Sequence, residues 1–223
     1  MESALVFAEA GLPVGFMSMT LAGSTSPATV AGTMAVGGAE IVSAVVLIRM
    51  ACPGAPTYHS LMPGIMHPRT GAFLGTGLEA DLLYSGGVQL AHMWGVPTLA
   101  GVGTGADVSG WESAVGIGSS MLLCVLCGAD TASGFGLRET CTLLTPEALL
   151  LDTEIYDIVR VEAAGLDTSR EMLALDVIKA VGPKGHYLNQ PHTREHLRKL
   201  EFSEYSLQQK QDSNYLDAIQ LAR

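Results

Sequence analysis

The 223-residue sequence predicts an α/β fold of four successive βα units, half of an eight-unit (β/α) barrel of TIM type, followed by C-terminal helices. Three observations carry this expectation. A glycine closes a helix-like stretch and a short apolar strand follows at Gly11-Leu12-Pro13-Val14, Gly54-Ala55-Pro56-Thr57, Gly95-Val96-Pro97-Thr98 and Gly128-Ala129-Asp130-Thr131. These junctions lie 43, 41 and 33 residues apart, room for a strand, a loop and a helix in each repeat. Charge is scarce along the repeats: residues 1–130 hold ten charged side chains and the remaining 93 hold 24. Glycine enters the left-handed conformation that ends a helix without steric cost, and a proline just after it suits the first position of a strand.

The elements follow in order. A first strand spans residues 14–20, with a loop rich in Ser and Thr and then a helix over 30–51 that Thr25 or Ser26 caps, with Pro27 at its first position. The second strand, 57–61, opens into a long loop reaching Gly77, and a helix covers 78–94 with Leu78, Leu82, Leu83, Leu90 and Met93 on one face. The third strand, 98–102, leads through Gly103-Thr-Gly-Ala-Asp-Val-Ser-Gly110 to a helix over 111–127, and the fourth strand spans 131–135. Thr145-Pro146-Glu147 is a helix start by cap, proline and first-turn acid, Ser169 caps a helix over 170–181, and 192–223 reads as a polar helical arm. The division is therefore a half barrel over 1–140 and a helical region with an arm over 141–223.

Composition excludes several function classes. A formal net charge of −10 disfavours a polyanion, and no basic stripe marks a nucleic-acid surface. Residues 11–39 and 113–129 carry no charge, but their prolines, glycines and hydroxyls suit parallel strands and helices buried in a βα core better than a lipid-facing helix. The N-terminus shows no basic segment followed by an apolar one, so no signal peptide is expected. Cys124 and Cys127 have CxxC spacing but sit on an apolar helix pattern, and Cys52 and Cys141 complete no disulfide framework. A reduced, cytoplasmic chain is expected. His186, His192 and His196 match no zinc spacing, so no metal is expected, and the glycines of 101–105 lack the full dinucleotide pattern.

Several stretches resemble the trimethylamine methyltransferase family, which includes glycine betaine and other quaternary-amine methyltransferases. They are Gly23-Ser-Thr-Ser-Pro-Ala-Thr-Val-Ala-Gly32 with Ala39-Glu40, Pro53-Gly-Ala-Pro56, Gln89-Leu-Ala91, Gly95-Val-Pro97 and Leu151-Asp-Thr-Glu-Ile155. The most specific is Gly182-Pro-Lys-Gly-His-Tyr-Leu-Asn-Gln-Pro-His-Thr-Arg-Glu-His196. They resemble only the C-terminal half of the family. The resemblance implies a (β/α) barrel that moves a methyl group from a methylated amine to cobalt(I) in a separate corrinoid protein, with no tightly bound cofactor of its own. Some members carry pyrrolysine in the loop matching residues 100–107; nothing here fills that role, and the loop is shorter before Glu112. That departure points to a betaine-like substrate rather than trimethylamine.

Transfer from a quaternary ammonium needs no general base, because a neutral tertiary amine leaves; the site holds the cation, excludes water and aligns the methyl group. Aromatic faces attract such a cation, which makes Tyr58, Trp111 and Phe135 substrate-binding candidates, each with core packing as the plain alternative. His59 and Asp107 are the catalytic candidates, the first otherwise a satisfied core histidine and the second otherwise a helix cap. Thr20, Thr104 and Ser133 lie near strand ends, His67 lies in the second loop, and Arg69 is the candidate clamp for a substrate carboxylate. Glu40 and Glu112 read as structural hydrogen-bonding groups. Expected partners are a corrinoid protein, a small methylated amine, and a second copy or a separate N-terminal half. The alternative function is an inactive fragment or structural subunit, because four strands cannot close an eight-stranded barrel.

Overall fold

The four junction glycines take left-handed φ values of 73°, 86°, 63° and 82° at Gly11, Gly54, Gly95 and Gly128 in a computed structural model describing residues 1–106, 109–197 and 199. At three of them the next amide reaches back to the carbonyl five residues earlier, Leu12 to Phe7, Val96 to Ala91 and Ala129 to Cys124, each at 3.0 Å. That bond satisfies a carbonyl the ending helix leaves unpaired and turns the chain toward a strand.

In chain order the elements are α1 (Glu2–Glu9), β1 (Val14–Ser18), β2 (Leu21–Ala22), α2 (Val30–Ala51), β3 (Thr57–Leu61), β4 (Gly64–Met66), β5 (Phe73–Leu74) and α3 (Leu78–Met93). There follow β6 (Leu99–Gly101), α4 (Trp111–Leu126), β7 (Thr131–Ser133), β8 (Leu137–Arg138), β9 (Leu143–Leu144), α5 (Pro146–Ala163), α6 (Arg170–Leu173), α7 (Leu175–Val181) and α8 (Pro191–Leu197). β1 pairs in parallel with β3, from Val14 opposite Thr57 to Ser18 opposite Leu61. β6 pairs in parallel with β7, from Leu99 opposite Thr131 to Gly101 opposite Ser133. A parallel bridge between His59 and Thr98 joins the two pairs, so the spatial order β1-β3-β6-β7 follows the sequence with one helix between successive strands. Among the described residues β1 and β7 have no further partner, and the sheet is mixed with helices but not closed. Short ladders cap the strand ends: β2 with β4 in parallel, β4 with β5 antiparallel, and β8 with β9 antiparallel.

Alternation along the strands decides which side chains meet the helices. Val14 and Phe16 pack with Ile48 and Ala55, Ser18 Oγ donates to Glu40 at 2.7 Å, and Arg49 Nε donates to Thr57 Oγ1 at 3.1 Å. Leu61 packs with Ile41 and Val45, Ala100 with Ala80, Tyr84, Val88 and Cys124, and Ala132 with Ile117, Met121 and Val159. The intervening residues, from Gly15 and Tyr58 to Gly101 and Ser133, therefore face the opposite, inner side.

α2 is long and apolar enough to cross a bilayer by length and composition alone. Its Thr33, Gly37, Ile41, Val45 and Ile48 instead recur at helical spacing and are buried beside the sheet. A side chain at Gly37 would run into Leu61, which is why the helix lies so close to β3.

Several expected details differ. Thr29 caps α2, its hydroxyl accepting from Gly32 at 3.2 Å, while Thr25 accepts from Leu21 within the preceding turn. On α3, Leu78, Leu82 and Met93 are exposed and the buried face is built from Ala80, Leu83, Tyr84, Gly87, Val88 and Ala91, of which the small Ala80, Gly87 and Ala91 let the helix sit against β3 and β6. The single helix expected over 170–181 breaks at Ala174, whose φ of 48° is left-handed. The first, third and fourth strands are shorter than expected, ending where their loops begin. Thr145 and Ser169 cap α5 and α6 as expected, accepting from Ala148 at 3.1 Å and Met172 at 3.4 Å. The part of the expected arm at residues 198 and 200–223 lies outside the described residues.

One ion pair is sealed inside this frame. Arg138 Nη2 and Nη1 reach Asp152 Oδ1 at 2.8 Å and Oδ2 at 3.0 Å, with the two side chains 2% and 1% exposed. Asp152 Oδ2 also accepts from the Gly136 amide at 2.7 Å, fastening α5 to the turn after β7. Arg138→Met strands the carboxylate in the core and is expected to cost about 3–5 kcal/mol in urea unfolding, whereas Arg138→Met with Asp152→Leu recovers most of it. A single variant as stable as the wild type would contradict the role of the pair.

Candidate active site

The inner face of the parallel strands carries Met17, Tyr58, Ser60, Leu99 and Ser133; Met17, Ser60 and Ser133 lie toward the carboxyl ends, where (β/α) chemistry gathers, and Tyr58 and Leu99 toward the amino ends. Tyr58 sits opposite Gly15 in register, and a side chain at Gly15 would collide with its ring, so the aromatic lies across the β1 backbone. Met62 likewise lies over Gly101. Ser60 is buried and its Oγ has no hydrogen-bond partner among the described residues. Met17 is 52% exposed, so this face is open on the β1 side.

The sequence candidates divide by the direction they face. Tyr58 and Ser133 lie on the inner face, with β6 between their strands. His59 does not: it points to the helix layer, 2% exposed, its ring tilted against Trp94 at a centroid distance of 5.7 Å and its Nε2 without a partner among the described residues. Burial there lowers its pKa from 6.5 to about 4, which favours the neutral ring. His59 thus takes the core-histidine position that is the alternative to a catalytic one, because one residue of strand register turns a side chain to the other face. Thr20 is also turned toward α2, since a side chain at Gly37 would lie 2.9 Å from its Oγ1.

Thr104 packs beside Gly116 of α4 and its Oγ1 accepts from the Ala106 amide at 3.1 Å, a loop-shaping bond. Phe135 belongs to the core under α5, edge-on to Tyr156 at 5.8 Å, so its aromatic face serves packing. Trp111 is 85% exposed as the first residue of α4. His67 and Arg69 lie in the turn between β4 and β5; His67 Nδ1 accepts from the amides of Arg69 and Thr70 at 3.3 and 3.2 Å, and the Arg69 guanidinium is exposed. Asp107 lies outside the described residues. Glu40 has the structural hydrogen bond expected of it, to Ser18.

Sequence reasoning missed Ser60, Arg138 and Asp152. Ser60 was signalled by period two, since it shares a face with Tyr58. Arg138 follows a run of seven uncharged residues and Asp152 follows three leucines, a pattern typical of charges that enter a core as a pair. The buried thiol of Cys124 is pushed up to about 12, chiefly by desolvation, and all four cysteines are free. His192 and His196 stack at 4.2 Å and His192 Nε2 lies 3.3 Å from the Glu171 carbonyl, a contact tying α8 to α6. Among the described residues no group of three or more His, Cys, Asp or Glu is placed to hold a metal ion.

Sequential parallel strands, intervening helices and an inner face of aromatic, methionine and hydroxyl groups define a βα scaffold, the class in which chemistry gathers on the strand-end loops. The chain matches the family described as trimethylamine methyltransferase (MTTB) over residues 1–214, and it belongs to that family. It is 32% identical over 203 residues to the glycine betaine methyltransferase of Desulfitobacterium hafniense (strain Y51), covering 89% of this chain and 42% of that relative. The trimethylamine methyltransferase MttB of Desulfitobacterium hafniense (strain DSM 10664 / DCB-2) is 29% identical over 86% of this chain and 39% of its own length. MttB of Methanosarcina barkeri is 30% identical over 83% of this chain and 38% of its own length. The chain thus spans about two-fifths of these relatives, which are methyltransferases by name.

The histidine gives a pH signature. Its folded pKa lies below the unfolded value of 6.5, so its contribution is complete above pH 6.5 and declines as pH falls toward 4, where the unfolded chain alone takes the proton. Between pH 7 and 4.5, wild type is expected to lose about 2–3 kcal/mol more than His59→Gln in urea unfolding. Parallel pH profiles for the two proteins would refute this.

Proposed function

We propose that the complete enzyme transfers a methyl group from a betaine-like quaternary amine to the cobalt of a corrinoid protein. The observation that carries the proposal is the match to the methyltransferase family over nearly the whole chain, with the glycine betaine methyltransferase among its relatives. An eight-stranded (β/α) barrel is the architecture we propose for the complete enzyme, and the sequential parallel order β1-β3-β6-β7 supports it.

The inner face supplies groups suited to this substrate. The ring of Tyr58 offers a negative face to a trimethylammonium group, and Met17 and Leu99 add apolar surface on the same face. We assign the Ser60 and Ser133 hydroxyls, which share this face, to donate to the substrate carboxylate, and Arg69 and His67 of the β4–β5 turn as the ionic and orienting groups. A corrinoid partner supplies a cobalt(I) nucleophile; this chain's residues hold the cation and align its methyl group. Charge balances without a proton: the N–CH3 bond breaks, its electron pair stays on nitrogen and a neutral tertiary amine leaves. The free cysteines support a reducing, cytoplasmic setting.

The open sheet favours a second reading, a subunit inactive until the rest of the barrel is supplied, whether by a second copy or a separate N-terminal half. Light scattering after size exclusion separates the readings: a stable, well-behaved monomer of this chain opposes the second. For the first, the complete enzyme with glycine betaine and a reduced corrinoid protein is expected to convert the cobalt(I) spectrum to that of the methylated corrinoid. Tyr58→Ala should lower kcat/KM roughly tenfold, as befits a lost cation–π contact. No spectral change with any quaternary amine, under verified reduction, sinks methyl transfer.

A further inference from the structure

We infer that Arg138, fixed in place by Asp152, is a positioning residue for the loop between β6 and α4. The inference deepens the methyl-transfer reading and rests on it, because this loop follows a parallel strand, where βα scaffolds build their sites.

The guanidinium has more donors than the carboxylate uses. Nη1 and Nη2 engage Asp152 in a bidentate pair, Nη1 also donates to the Leu137 carbonyl at 2.8 Å, and Nε donates to Ser109 Oγ at 3.3 Å. The next residue catches the other side of the same loop: the Glu139 amide donates to the Ala106 carbonyl at 3.1 Å. Consecutive residues 138 and 139 therefore hold Ala106 and Ser109 from one direction. From the other, the Gly103 amide donates to Ser120 Oγ of α4 at 3.4 Å. Gly105 lies between Thr76 and Thr140, whose hydroxyls are 3.3 and 3.9 Å from where a side chain would begin.

The backbone at this point is held in an uncommon shape. Glu139, Thr140 and Cys141 have φ of 48°, 54° and 72°, three successive left-handed residues without a glycine. Such conformations persist where surroundings over-determine them and concentrate where geometry matters to function. A buried ion pair is also a weak way to gain stability, since apolar residues of similar volume do as well. What an apolar pair cannot do is donate, in a fixed planar fork, to a carboxylate and a loop hydroxyl together. Misplacing a group at a site by about 1 Å costs up to 10²-fold in rate, which gives such a clamp a use.

Ser109→Ala removes the acceptor and leaves the ion pair intact, and Ser109→Thr keeps a hydroxyl. In the complete enzyme, hydrogen exchange at amides 103–106 and 110–112 is expected to rise roughly tenfold in the alanine variant and stay near wild type in the threonine variant, with α5 amides unchanged in both. Methyl transfer from glycine betaine should lose roughly tenfold in kcat with KM changed less than about threefold, restored by threonine. Unchanged exchange in Ser109→Ala overturns the clamp, and faster exchange with unchanged kcat overturns its positioning role. A wild type that transfers no methyl group overturns the methyl-transfer reading, while exchange still decides whether the clamp exists.

Discussion

Taking a guanidinium and a carboxylate out of water is among the costliest things a fold does, and here both Arg138 and Asp152 are sealed. The cost is offset only because nearly every polar atom finds a partner: two contacts between the charges, the Gly136 amide on the carboxylate, and the Leu137 carbonyl and Ser109 hydroxyl on the guanidinium. Those partners come from α5, from the turn after β7, from β8 and from the loop before α4. Three stretches separated in sequence, at residues 109, 136–138 and 152, are thereby registered to one point. The packing of Ile117 and Met121 of α4 against Val159 of α5 fills the space around it.

The other half of the structure is organised by sterics rather than charge. Small residues on α2 and α3 bring the helices down onto the sheet: a side chain at Gly37 would strike Leu61, one at Gly86 would crowd Met34, and one at Gly87 would touch Leu61 and His59. Close approach forces the large strand residues on the helix side to be few and well fitted. The inner side is then free for Tyr58, Met17 and Leu99, none of which contributes to the buried core under the helices.

The repeat of βα units was legible in the sequence because glycine and proline report backbone shape locally, and each junction needed only four residues to be read. The helix caps at Thr145 and Ser169 were legible for the same reason. What could not be read was anything set by register. His59 and Tyr58 are adjacent, equally polar at one end and equally suited to a site, and only pairing with β1 tells which faces inward. Thr20 and Phe135 lie just past their strands, and each is drawn into a helix contact by residues distant in sequence. The break at Ala174 was hidden because alanine is a strong helix former and carries no local signal for a left-handed turn. The partnership of Arg138 and Asp152 depended on bringing β8 and α5 together, which composition alone does not encode.

Among the described residues the strands at the two ends of the sheet lack an outer partner, and this has a consequence for handling. Neither Val14–Ser18 nor Thr131–Ser133 contains a charged residue, so neither carries the lysine or acid that usually discourages strand addition at an edge. Beside the first lie Met17 and Met19, more than half exposed. What opposes self-pairing is the field of the molecule as a whole, a net charge of −10. That field reaches about 10 Å in 0.1 M salt and about 3 Å in 1 M. Ionic strength therefore acts as a colloidal control: dilute buffer keeps copies apart by repulsion, and concentrated salt removes that repulsion from two uncharged edges.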